Sequence, residues 1–102
     1  MEAVIQSINL IASTPTVRGG RPCIAETGLR VIDVVMAHLL HQRTPSEIAS
    51  DYAISLAQVH AALAYYYEHK PAIDADLRQQ VAISREYKEK RIGSREPSLL
   101  PG

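Results

Sequence analysis

The chain has 102 residues, no net charge (eleven basic residues against eleven acidic ones) and 46% apolar residues. These proportions suit a single modest globular domain and exclude a disordered chain. They also argue against autonomous, tight DNA binding, because phosphate neutralisation supplies most of such affinity and here could come only from a local basic cluster.

No apolar run approaches the roughly 20 residues that cross a membrane. The opening MEAVIQSINL lacks the basic-then-apolar order of a signal peptide. One cysteine allows no internal disulfide, which fits a reducing compartment, so a cytoplasmic protein is expected. With no Phe and no Trp, the core must be aliphatic, supplemented by tyrosine.

In residues 1–14 the loose spacing of Val4, Ile5, Ile8, Leu10 and Ile11 predicts a short strand near Leu10–Ser13, and Thr14-Pro15 disfavours helix there. Residues 16–30, TVRGGRPCIAETGLR, read as a turn at Gly19-Gly20 and then a short strand, which Pro22 confines to an edge or to its own start. Arg18, Arg21 and Arg30 make this the most basic part of the chain. Those arginines fit an arm that touches phosphates or an acidic partner equally with solvated side chains on a loop.

Residues 31–42, VIDVVMAHLLHQ, predict a helix so apolar that burial on more than one face, including one against a partner chain, is expected. Thr44, Pro45 and Glu47 form a helix start signal: a hydroxyl for a free N–H, a proline at the first helical position and a glutamate that bonds back. That helix runs out near Tyr52. Ala53 sits in the turn, Ser55 opens a longer helix, and Leu56, Val59 and Leu63 share one side of it. A short helix, a tight turn and a longer helix is the helix-turn-helix pattern, although a plain αα-hairpin needs much the same residues. Pro71 ends this helix, and a further one runs from Ala72 or Ile73 to about Arg91, acidic at its start (Asp74, Asp76) and basic at its end. Residues 93–102, GSREPSLLPG, read as a flexible tail.

Four histidines raise the question of a metal. His38 and His41 are three apart on one helix, and His60 and His69 share another, but no acidic or cysteine ligand stands at metal spacing beside them. Cys23 reads as a small core residue rather than a nucleophile. The enzyme signatures GxxxxGK[ST], GxSxG, HExxH and GxGxxG do not occur, and Glu47 with Asp51 reads as capping and dipole residues rather than a carboxylate pair. No cofactor, no metal and no catalysis are expected. Tyr65-Tyr66-Tyr67 spreads three rings around one turn, so one or two should cap the core and at least one should face outward. If the second helix reads DNA, Ser55 and Gln58 would head the contacts. Arg18, Arg21, Arg30 and Arg43 would then bind phosphate, because the helix carries no Arg or Lys before Lys70.

The segments GGRPCIA, LRVIDVV and TPSEIASDYAISLAQVHAALAYYYEHKPAID together resemble the DUF433 family over about residues 10–78, most specifically from Glu47 to Tyr66. The resemblance implies a homeodomain-like three-helix nucleic-acid-binding fold, commonly dimeric, in a family often encoded beside a PIN-like nuclease and regarded as candidate antitoxins. One departure stands out. Where the family has a Gly-Thr-Arg run, this chain has Glu26-Thr27-Gly28, with Arg30 the nearest substitute for the missing arginine.

The expected fold is therefore mainly α: a homeodomain-like three-helix bundle with a helix-turn-helix, a short N-terminal β element and an extra C-terminal helix. A single domain should span residues 1–92, comprising an arm (1–30), a three-helix core (31–70) and a C-terminal helix (71–92). Two functions are carried forward. One is an antitoxin-type homodimer that binds operator DNA and neutralises a nuclease toxin. The other is a protein-interaction and dimerisation module that does not touch DNA.

Overall fold

A computed structural model describes residues 2–99, with side chains to residue 90. The chain divides into two compact units, Met1–Lys70 and Pro71–Gly102.

The first unit begins with a two-stranded antiparallel element, β1 (Ile11–Ala12) and β2 (Cys23–Ile24), in the register Ile11 opposite Ile24 and Ala12 opposite Cys23. The strand expected near Leu10–Ser13 is thus present, though only two residues long. The connection turns at Arg18, Gly19 and Gly20, all at positive φ (51°, 67° and 81°), closed by the Gly20 N–H donating to the Val17 carbonyl at 2.9 Å. Glycine reaches this left-handed region without a Cβ clash, which is why Gly19-Gly20 marks the turn. Pro22 needs no ladder partner for a missing N–H, and its carbonyl accepts from Val31 N–H at 2.9 Å, tying the strand to the first helix.

Helix α1 (Val31–Val35) continues as a π-helical turn, Met36–Leu40. This differs from the single α-helix expected over 31–42. His41 N–H donates five residues back to Met36 O at 3.1 Å, Gln42 takes φ 56°, and Arg43 N–H then reaches Ala37 O at 3.0 Å, so the left-handed residue ends the helix before Gln42. The surplus apolar surface of this segment is absorbed within its own unit. Val31, Ile32, Val34, Val35 and Ala37 are all buried, leaving only Leu39 and Leu40 half exposed at its end.

Helix α2 (Pro45–Tyr52) is capped as its residues dictate. Thr44 Oγ1 accepts from Glu47 N–H at 3.1 Å, and Glu47 Oε1 accepts from Thr44 N–H at 2.9 Å. The turn to α3 (Leu56–Glu68) passes through Ala53 at φ 57°, ψ 46°, whose N–H closes the α2 C-terminus on Ala49 and Ser50 carbonyls. A second capping box opens α3: Ser55 Oγ accepts from Gln58 N–H at 3.0 Å and Gln58 Oε1 from Ser55 N–H at 2.7 Å. Ile24, Ile48, Val31, Val34, Val35 and Val59 are the fully buried large side chains, and Ala62, Leu63 and Tyr66 extend that core along α3, which packs on α1, α2 and both strands. Of the three tyrosines, Tyr66 is buried and Tyr67 is 60% exposed, the division that their spacing predicts.

Helix α4 runs Lys70–Leu99 and from Pro71 on makes up the described part of the second unit. Its start lies just before Pro71, tolerated within a first helical turn because those N–H groups lack partners in any case. The helix passes the end expected near Arg91. The flexible tail expected over 93–102 falls where no side chain is described, and from residue 100 it lies outside the described residues altogether.

Two substitutions test this account by urea denaturation followed by circular dichroism. Ile48→Ala removes a fully buried side chain from α2 and should cost about 2–5 kcal/mol. Ala53→Gly should stabilise by up to about 1 kcal/mol, because an L-residue in the left-handed region carries a Cβ penalty that glycine escapes.

Candidate nucleic-acid and protein interface

The six residues singled out for DNA contact fall into three groups. Arg18 and Arg21 lie at the β turn, Arg18 exposed and Arg21 half-buried where the turn ends. Arg30 precedes α1 and is locked onto Asp33. Its Nη2 donates to Oδ1 at 2.7 Å, its Nε to Oδ2 at 3.1 Å, and its backbone N–H to the same Oδ2 at 2.9 Å. With side-chain exposures of only 15% and 19%, this pair forms part of the α1 N-terminus rather than a free cation.

Arg43, in the link between α1 and α2, is clamped by both acidic residues of α2. Its Nε and Nη2 form a fork onto Asp51 (2.9 and 3.0 Å), and Nη1 lies 3.5 Å from a Glu47 oxygen. Glu47 and Asp51 are one helical turn apart, so a guanidinium coming off the preceding loop meets both. The arrangement shifts two proton equilibria. Hydrogen bonding to Asp51 pushes Arg43 further up, and the Thr44 N–H, then the Arg43 charge, hold Glu47 below its ordinary value.

Ser55 and Gln58, the expected head of a reading helix, spend one oxygen each on the α3 capping box. Arg30 and Arg43 are thus each ion-paired to carboxylates, and Ser55 with Gln58 forms an uncharged capping pair. What the solvent face of α3 does offer is Leu56, Ala57, His60, Ala64 and Tyr67, at helical spacing and all exposed. Leu56 and Tyr67 were legible as apolar residues, but which side of the helix they occupy depended on Val59, Ala62, Leu63 and Tyr66 taking the core.

The remaining candidates have local roles. Cys23 is buried; desolvation pushes its thiol up, and the nearby Arg18 charge opposes that shift. His38 Nδ1 is 2.9 Å from Arg43 O, closing the α1–α2 link, and His69 Nδ1 is 3.0 Å from Tyr65 O with its ring stacked on Tyr65 at 4.0 Å. Among the described residues no group of three or more His, Cys, Asp or Glu side chains could hold a metal ion, and no helix is long and apolar enough to cross a membrane.

At Glu26 the structure explains the unusual loop. Its φ is 64°, the conformation for which glycine is the natural residue, so the expected family glycine has a backbone reason that this chain overrides. Gly28 stands in open space, with nothing within 4 Å of where a Cβ would be.

Two antiparallel strands leading into a three-helix core, with its second and third helices joined by a short left-handed turn, define a small helix-turn-helix protein. The sequence pattern of the family described as "Protein of unknown function (DUF433)" matches residues 11–66, more than half the chain, and the protein belongs to that family. A crystal structure of a DUF433 member protein from Anabaena variabilis ATCC 29413 is similar, at 28% identity and a TM-score of 0.63, with 69% of each chain covered. No curated protein matches the chain.

Glu47→Gln should weaken the α2 cap. The carboxylate's folded pKa lies below its ordinary value of 4.5, so its stabilisation is present above that value and is lost as pH falls through the lower folded one. Urea midpoints of the wild type and Glu47→Gln should therefore differ at pH 7 and draw together as the pH is taken below 4.5. In the same assay Glu26→Gly should raise stability by about 1 kcal/mol, relieving the left-handed Cβ.

Proposed function

We propose that this protein is a non-catalytic interaction module of antitoxin type, whose helix-turn-helix scaffold presents α3 to another protein instead of reading DNA unaided. The observation that carries this reading is the solvent face of α3. Leu56, Ala57, His60, Ala64 and Tyr67 are exposed along it, and no Arg or Lys stands anywhere in the helix. A reading helix gains affinity from phosphate contacts at its ends and specificity from polar side chains at its start. Here the arginine after α1 is held by two carboxylates and the polar start is occupied with capping. Exposed Leu and Tyr side chains on a rigid helix instead suit the desolvated centre of a protein interface. The neighbouring PIN-like nuclease that the family resemblance implies is the natural partner to test, and the site of action is expected to be cytoplasmic.

Operator binding is the second reading, favoured by the α2–turn–α3 unit itself. On that reading a homodimer bound to a basic toxin would acquire the charge that the neutral chain lacks.

Fluorescence anisotropy of the purified protein with its own upstream duplex, beside a random duplex and at two salt concentrations, separates the two. The interaction reading expects no preference for the upstream duplex. It also expects Tyr67→Glu to abolish co-purification with the co-expressed nuclease while leaving the circular dichroism spectrum unchanged. Salt-sensitive, selective DNA binding that Arg21→Ala and Gln58→Ala both weaken would establish the operator reading instead.

A further inference from the structure

Of the five side chains that make up the exposed face of α3, four are Leu, Ala, Ala and Tyr, and the fifth is His60. His60 follows Leu56 by one turn and precedes Ala64 by one and Tyr67 by two, with Ala57 on its flank, so it stands in the middle of the face. Its ring makes no hydrogen bond, ion pair or ring contact among the described residues. His38 and His69 differ in this respect, each holding a backbone carbonyl, of Arg43 and Tyr65 respectively.

No anion of this chain is set against that ring. On α3 itself the one acidic residue is Glu68, eight residues along and therefore roughly 12 Å away along the axis. The elements packed on α3 are α1, α2 and the two strands. They carry Asp33, which is held by Arg30, and Glu47 and Asp51, which are held by Arg43. Their other titratable side chains are the Tyr52 phenol and the buried Cys23 thiol, neither of them an anion in mildly acidic solution.

We infer that docking at the α3 face is regulated by the protonation of His60: the face closes on an apolar partner surface only with the ring neutral, and the proton of any charged ring goes to solvent. This rests on the docking reading of α3. The centre of a protein interface is its most desolvated part. An imidazolium taken there without a carboxylate loses its hydration uncompensated, whereas a neutral imidazole costs far less to cover. Histidine is also the side chain that ordinarily changes charge between about pH 5 and pH 8. Binding that selects the neutral form is strongest at the upper end of that range and weakens as pH falls. The same physics specifies the partner, since a carboxylate opposite His60 would favour the charged ring and reverse the sign.

Isothermal titration calorimetry of the co-expressed nuclease with the wild type, His60→Gln and Tyr67→Glu at pH 7.5, 6.5 and 5.5 tests this. Position 60 is exposed, and circular dichroism of each protein at each pH is the folding control. Between pH 7.5 and 5.5 the wild type should lose roughly tenfold more affinity than His60→Gln, whose amide stays uncharged. Titrations in two buffers of different ionisation heat should show proton release by the wild type in excess of that by the variant.

Equal pH dependence in the two proteins would overturn the inference while leaving α3 docking intact. A wild type that binds more tightly than His60→Gln as the pH falls would overturn it too, by placing an acidic group opposite the ring. A nuclease that binds neither protein, or binds Tyr67→Glu as tightly as the wild type, would instead remove the docking reading, and this inference with it.

Discussion

The packing of α3 against α1 is the contact on which the rest of the first unit depends. With no Phe or Trp, that core is made from Val31, Val34, Val35, Ile48, Val59 and Ile24, closed by Tyr66. Branched aliphatic side chains bury little area apiece, so the core works only if the helices approach closely and keep their register. Alanines at 37 and 62, both buried, permit that approach. Lys70 lies over the Tyr66 ring at 5.6 Å, so the cation at the end of the unit covers the ring that closes the core.

A small aliphatic core leaves helix ends to be stabilised by polar side chains, and this chain commits many of them there. Both α2 and α3 open on reciprocal capping boxes, and α1 opens on the Arg30–Asp33 fork. Each satisfies backbone N–H groups that the first turn of a helix leaves without partners. The consequence for function is direct. Arg30, Arg43, Ser55 and Gln58, whose types suggested nucleic-acid contact, are engaged in holding helix starts and the α1–α2 link, and binding phosphate with Arg43 would mean releasing it from Asp51 and Glu47. Surface ion pairs contribute little to stability individually, but a forked pair backed by a second carboxylate does orient the guanidinium along α2.

How legible each feature was follows from the range of the interaction behind it. The α2 start was readable because Thr44, Pro45 and Glu47 act within four residues of one another, and the structure forms that box with bonds of 2.9 and 3.1 Å. The Gly19-Gly20 turn and the strand at Ile11 were readable for the same reason. Ser55 is readable as a helix start, and its capping box with Gln58 has the same three-residue spacing, but a glutamine at that position fits an exposed contact as well as a cap. The pairing of Arg43 with Asp51 was not readable. The two are eight residues apart across a loop, and only the chain's reversal between α1 and α2 brings them to 2.8 Å. The π turn at Met36–Leu40 was likewise hidden, since it follows from where Gln42 bends back rather than from local propensity.

Composition, hydrophobic period and capping residues alone determined that this is a mainly helical chain with a helix-turn-helix, a β element before it and a helix after it. These are consequences of forces acting over one or two helical turns, and the residues that create them are adjacent in the chain. Tertiary structure alone decided where the apolar and charged surplus went. It buried Val31, Ile32, Val34, Val35 and Ala37 within their own unit, engaged Arg30 and Arg43 with carboxylates, turned Leu56 and Tyr67 outward, and left Val4, Ile5 and Ile8 in solvent. Which face of a helix is covered depends on what packs against it, and that is settled by contacts between residues distant in sequence.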